Sequence, residues 1–132
     1  MRVVIDPNVW ISGLINPRGT PAGVIAAVAA KRVTAVISRH LVDELAAVLV
    51  RPKFRRWITL ADASAFVDAL AREGDLHDAP VVVPGRVRDP DDDYLVALAD
   101  AADAMIVTGD DDLLSADLHP RAITPRQLLD RL

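Results

Sequence analysis

Short continuous apolar runs alternate with longer stretches of helical periodicity along this chain. Val3-Val4-Ile5, Val33 to Ile37, Val81-Val82-Val83 and Met105-Ile106-Val107 each read as a strand buried on both faces, the pattern of a parallel sheet. Between them lie helical segments at Val9 to Leu14, Ala22 to Ala30, Arg39 to Val50 and Leu60 to Glu73, with a nearly all-apolar helix from Tyr94 to Ala102. In the third segment Leu41, Leu45, Val48 and Leu49 form the apolar stripe, and Phe66, Val67 and Leu70 form that of the fourth. The boundaries carry helix-start chemistry: Ser38 as an N-cap, Asp89 as an N-cap with Pro90 at the first helical position, and Thr124-Pro125-Arg126-Gln127 as a capping box. Arg121-Ala122-Ile123 is an edge-strand candidate, and Asp111 to Leu114 a short helix. Strict alternation of strand and helix predicts an α/β fold, a three-layer α/β/α sandwich with a mainly parallel central sheet.

Composition narrows this picture. With 132 residues and 52% hydrophobic content, the chain is expected to form a single domain over residues 1–132. No apolar run approaches the roughly 18 residues of a membrane span, and no signal peptide is recognisable, so a cytoplasmic protein without membrane contact is expected. Cysteine is absent, which excludes disulfides and thiolate metal sites. The net charge of -4 argues against a surface coated for nucleic acid. The exception is Arg51 to Trp57, RPKFRRW, where Arg51, Lys53, Arg55 and Arg56 are interleaved with two aromatics. Such a patch touches phosphates or stacks on bases, or else is a solvated loop whose aromatics enter the core. His40, His77 and His119 show no metal-ligand spacing and are assigned no chemistry.

The acids are distributed unevenly. Asp6 ends the first strand, Asp92 and Asp93 open the apolar helix, and Asp110 and Asp112 follow the strand at 105–107. Glu44, one of only two glutamates with Glu73, borders the buried stripe of its helix. Capping and the helix dipole account for any one aspartate at a helix start. Two acidic clusters at the ends of consecutive buried elements are another matter, because packed like charges destabilise a fold unless a cation or proton neutralises them. In parallel strands, both strand-end acids project from the same sheet edge, where open α/β sheets place their ligands. An all-oxygen carboxylate set points to Mg²⁺ or Mn²⁺, and a site with one or two such ions suits phosphodiester hydrolysis.

The order of the motifs VVIDPNVWISGL, ISRHLVDELAAVL, DPDDDYLVALA and IVTGDDDLL resembles the PIN-domain family over almost the whole chain, and in particular the toxin component of type II (VapC-like) toxin–antitoxin systems. The resemblance maps the first acid to Asp6, the helix acid to Glu44 and the fourth to Asp110, with Asp112 as a frequent extra one. The third acid is Asp92 or Asp93, and counting back from Thr108 favours Asp92. Asn8 matches a polar position that supports the first acid, and Thr108 is taken as a second supporting residue. Where family members carry Thr or Ser directly after the first acid, this chain has Pro7, so one supporting hydrogen bond is expected to be lost and the turn stiffened.

The resemblance implies a Mg²⁺-dependent endoribonuclease, with Mn²⁺ able to substitute, acting on single-stranded or looped RNA. It also implies a small cognate antitoxin and a homodimer, with RNA lying along Arg51, Lys53, Arg55 and Arg56. A receiver domain is excluded because the only lysines, Lys31 and Lys53, both lie in the first half of the chain. A haloacid-dehalogenase-type phosphatase is excluded because Asp6-Pro7-Asn8-Val9-Trp10 lacks D-x-D-x-T. The competing reading is a PIN-like domain that is catalytically weak or inactive and binds a protein partner or RNA.

Overall fold

The strands β1 (Arg2–Ile5), β2 (Thr34–Ile37), β3 (Asp75–Leu76) and β4 (Met105–Val107) form one sheet in the order β3-β2-β1-β4. Every pairing in it is parallel. The structure is a computed structural model and describes residues 1–78 and 80–132. Helices α1 (Pro7–Ile15), α2 (Thr20–Ala29), α3 (Arg39–Leu49), α4 (Leu60–Glu73), α5 (Asp93–Ala102), α6 (Asp111–Leu114) and α7 (Pro125–Asp130) flank it in the expected α/β/α arrangement. Helix α5 lies against β1, β2 and β4, α1 packs on α2 and α3, α3 packs on α4, and α2 packs on α7. Among the described residues, no helix is long and apolar enough to cross a membrane.

The apolar triplets at 3–5 and 105–107 became strands because the core takes nearly all of their side chains. Val3, Val4 and Ile5 of β1 are fully enclosed, as are Ile106 and Val107 of β4. Leu95 and Leu98 of α5 close over the sheet, and Trp10 of α1 is buried with its ring 5.5 Å from that of Phe66. The anticipated caps formed: the Ser38 hydroxyl accepts from Leu41 N–H, and Thr124 and Gln127 cap each other reciprocally.

Three readings are corrected. Val81-Val82-Val83 is not a strand, and Val81 is 87% exposed. The triplet lies between Pro80 and Pro84, which contribute no N–H to a ladder, and the place beside β2 is taken by Asp75–Leu76. Arg121–Ile123 does not form an edge strand either; Ile123 alone bridges Val107 in parallel. The α-helix expected from Pro90 starts instead at Asp93, because Pro90–Asp92 winds as a 3-10 turn capped by Asp89.

Strand β3 follows α4 with only Gly74 between them. A Cβ at Gly74 would meet the Leu70 carbonyl oxygen at 2.8 Å and Ile37 Cδ1 at 2.6 Å. The isoleucine tip is a side-chain end that can shift, whereas the helix carbonyl is fixed by the backbone. Gly74→Ala is therefore expected to destabilise the fold by about 1–3 kcal/mol, the usual range for overpacking. Urea denaturation measures this, and an unchanged midpoint would show that α4 yields instead.

Candidate active site

Strands β1 and β4 are neighbours with Ile5 paired to Val107, so the next residue of each, Asp6 and Thr108, emerges at the same sheet edge. The Asp6 N–H extends the ladder by one bond, to the Val107 carbonyl at 2.9 Å. Thr108 Oγ1 donates to Asp6 Oδ2 at 2.8 Å and accepts from the Asp110 N–H at 3.0 Å. Both Asp6 and Thr108 are buried. Thr108 is thus the hinge between the two strand-end acids. Asp110 in turn caps α6, its Oδ1 accepting from Asp112 N–H at 2.9 Å.

Asp6 Oδ1 accepts from the backbone N–H of Asn8 at 2.9 Å, which makes Asp6 the cap of α1. The support expected of Asn8 comes from its backbone, while the residue itself is exposed. Pro7 occupies the first helical position, where no N–H is required. The bond expected to be missing there leaves no gap at the carboxylate, since both oxygens of Asp6 have donors.

The remaining acids arrive from two helices. Asp92 stands where the 3-10 turn passes into α5, and its side chain caps nothing. It hydrogen-bonds with Asp110 and lies within the field of Asp6 and Asp89. Asp93 is buried instead, with Oδ1 unpaired, in the wall of a groove of about 620 Å³ that it shares with His40, Asp43, Glu44, Val82, Pro90, Asp91 and Tyr94. Glu44, on α3, accepts a short hydrogen bond from the Tyr94 hydroxyl. Asp112 is partly exposed and pairs with Arg88 at 3.6 Å.

The electrostatics reflect this crowding. Burial, followed by the charges of Asp6, Asp89 and Asp110 and the bond with Asp110, raises the Asp92 carboxyl from its usual 3.8 to about 7. Asp6 is also raised, chiefly by burial and further by Asp110 and Glu44, against the lowering effect of Asn8 N–H and the Thr108 hydroxyl. The Tyr94 phenol is raised by burial and by its bond to Glu44. These shifts place Asp6, Glu44, Asp92 and Asp110 in one neighbourhood. Among the described residues, no three of the side chains converge closely enough to ligate an ion as they stand. Their chemistry nonetheless suits a hard divalent cation: every donor is a carboxylate oxygen, two acids are raised by burial and by neighbouring acids, and the buried Asp93 Oδ1 lacks a partner among the described residues.

The basic cluster lies elsewhere. Pro52–Arg56 forms a 3-10 turn after α3, and Arg51 follows Glu44 by seven residues, about 10 Å along the axis. Lys53 sits over the Phe54 ring at 5.1 Å and Arg56 over the Trp57 ring at 4.8 Å. Phe54 is buried in the core, and Trp57 is half-exposed. Arg55 departs from the expectation of a phosphate-facing side chain: it donates to the Leu49 carbonyl at the end of α3, and its Nε and Nη1 are buried without partners.

Sequence reasoning did not find Tyr94, although it is the chain's only tyrosine and directly follows the acidic run. It also assigned His40 no role, and the structure packs that ring on Tyr94 at 4.2 Å between centroids.

The chain is similar to known proteins in sequence and in fold. The chain is 26% identical over 144 residues to the uncharacterized protein MJ1680 of Methanocaldococcus jannaschii, covering 98% of this chain and 90% of that one. Its fold is similar to a chain in the crystal structure of VapBC2 from Rickettsia felis bound to a DNA fragment from their promoter, with a TM-score of 0.57 and 15% identity, covering 94% of this chain and 97% of that one. The family model of the PIN domain matches residues 2–112, a span that includes Asp6, Glu44, Asp92 and Asp110, and the chain belongs to the PIN-domain family.

Proposed function

We propose that this chain is a Mg²⁺-dependent endoribonuclease and the toxin of a toxin–antitoxin pair. PIN domains are generally nucleases. The observation that carries the reading is that Asp6 and Asp110 follow the paired ends of β1 and β4 and share Thr108, with Asp6 raised by burial and then by Asp110 and Glu44, and Asp92 raised by burial and then by Asp6, Asp89 and Asp110. Asp6, Glu44, Asp92 and Asp110 would hold Mg²⁺ or Mn²⁺, with Asp93 and Asp112 beside them. A bound divalent cation supplies an activated water and charge stabilisation for phosphodiester hydrolysis. The protein's part is positional: Thr108 fixes Asp6 and Asp110 relative to each other, and the α1 cap fixes the Asp6 rotamer.

RNA would pass from this edge toward Arg51, Lys53 and Arg56, whose exposed side chains offer phosphate contacts, with Trp57 offering a stacking face. So few cations predict modest affinity and marked salt dependence. The fold shared with a chain of the VapBC2 complex supports an antitoxin as partner, and homodimerisation belongs to the same proposal.

The direct test is incubation of purified protein with a mixed RNA pool, in Mg²⁺ or Mn²⁺ against EDTA. Discrete metal-dependent products are expected. Asp6→Asn and Asp92→Asn should each lower the rate by more than about 100-fold, beyond the loss typical of residues that merely support a metal ligand. Cleavage by both variants at the wild-type rate would remove these acids from the reaction. No cleavage in either metal, from protein shown by mass spectrometry to be free of partner, would favour a binding domain.

Stability provides a separate check. Because Asp92 is raised, the metal-free folded state holds a proton that the unfolded chain has lost between about pH 4 and pH 7. Its contribution to stability is full at the acidic end, declines as pH rises through this window, and is gone above it. In EDTA, Asp92→Asn should therefore melt higher than wild type at pH 8, with the difference closing toward pH 4. Mg²⁺ should raise the wild-type Tm most at pH 8. Parallel melting curves of the two proteins across this range would sink the assignment if their difference proved independent of pH.

A further inference from the structure

Glu44 differs from the other acids of the site in how it is held. Asp6 and Asp110 are short side chains locked by backbone N–H groups at helix starts. Glu44 has a longer side chain, projects from the interior of α3, and caps nothing. Among the described residues, its hydrogen-bond partner is the Tyr94 hydroxyl, which donates to Oε2, and no Arg or Lys forms an ion pair with it. His40 lies four residues before Glu44, on the same face of α3. Its ring packs on that of Tyr94, with centroids 4.2 Å apart and planes at 47°. One turn of α3 therefore grips Tyr94 twice, through the ring and through the hydroxyl. Tyr94 itself sits on α5 immediately after Asp92 and Asp93.

We propose that Tyr94 is a positioning residue for Glu44, occupying one carboxylate oxygen so that the other is presented to the divalent cation, with His40 setting the ring's orientation. This rests on the metal-dependent reading above and adds a residue to it. A glutamate on a helix interior samples several rotamers, and a hydrogen bond to one oxygen removes most of them before the ion arrives. Hydrogen bonds of this kind, from a neighbour to a metal ligand, govern affinity for the ion, and their loss costs roughly 10–100-fold. Tyr94 also couples α3 to α5, so that the acids of two helices keep a fixed spacing.

The 132-residue chain tests this directly, because Tyr94 is its only tyrosine and a ¹³Cζ-tyrosine label gives one resonance. Mg²⁺ is titrated into EDTA-treated protein while that resonance is followed, and Mn²⁺ binding is measured in parallel by electron paramagnetic resonance. The tyrosine signal is expected to shift with metal and saturate with it, and to stay still in Glu44→Gln. Tyr94→Phe, which keeps the ring against His40, should weaken Mn²⁺ binding about 10-fold. Its RNA cleavage should be slow at low Mg²⁺, recover at high Mg²⁺ and show an unchanged KM for RNA. A wild-type protein that binds metal and cleaves RNA while its tyrosine signal stays fixed would overturn the positioning role alone, as would Tyr94→Phe binding Mn²⁺ as tightly as wild type. Wild-type protein that neither binds the ion nor cleaves would overturn the nuclease reading itself, and the role of Tyr94 with it.

Discussion

The register of β1 against β4 is the constraint on which the site depends. With Ile5 opposite Val107, the next residues are Asp6 and Thr108, and the hydroxyl of one reaches the carboxylate of the other at 2.8 Å. A slip by one residue would turn every side chain of the shifted strand to the opposite face and separate them. The apolar side chains resist that slip: Val3, Val4, Ile5, Ile106 and Val107 are buried on both faces of the sheet, so a shifted β1 would bring Arg2 or Asp6 to a position that an aliphatic side chain now fills. The hydrophobic core thereby fixes the chemistry at the sheet edge.

Helix packing brings the other acids to this edge. Helix α5 crosses β1, β2 and β4, which carries its N-terminal end to the ends of β1 and β4, and the 3-10 turn before it sets Asp92 and Asp93 in different surroundings. Asp92 meets Asp110, whereas Asp93 turns into the wall of the groove beside Glu44 and Tyr94. The α-helix starting at Asp93 rather than at Pro90 separates the two acids. Sequence spacing left them as alternatives because that transition from 3-10 to α-helix has no signature in the residues themselves.

Elements that bury everything were legible: the triplets at 3–5 and 105–107, the stripe of α3 and the caps at Ser38, Asp89 and Thr124. Residues whose role depends on distant partners were not. Asp75–Leu76 has two residues, one of them charged and paired with Arg2, and becomes a strand only because β2 is beside it. The triplet at 81–83 has stronger strand chemistry and no place in the sheet. Glu44 and Tyr94 lie 50 residues apart, so neither the helical position of the one nor the acidic context of the other announces their bond. Arg55 belongs to the same class, its basic neighbours suggesting solvent while the end of α3 draws it inward.

Capping and metal binding are competing explanations for an aspartate at a helix start when only sequence is available, and the proposed function makes them parts of one device. A capping carboxylate has one oxygen tied to a backbone N–H and its rotamer fixed, which is the preorganisation a metal ligand needs. Asp6 and Asp110 are held in this way at α1 and α6. The partial positive charge of each helix start also offsets some repulsion among the acids, typically by about 0.3–1 kcal/mol per terminus. That offset is too small to neutralise a four-acid cluster. Asp92 shows the shortfall: it has no capping bond, and burial first, then the charges of Asp6, Asp89 and Asp110, raise it to about 7. The caps therefore account for the placement of the acids, while the charge they leave uncompensated is what a divalent cation would take up.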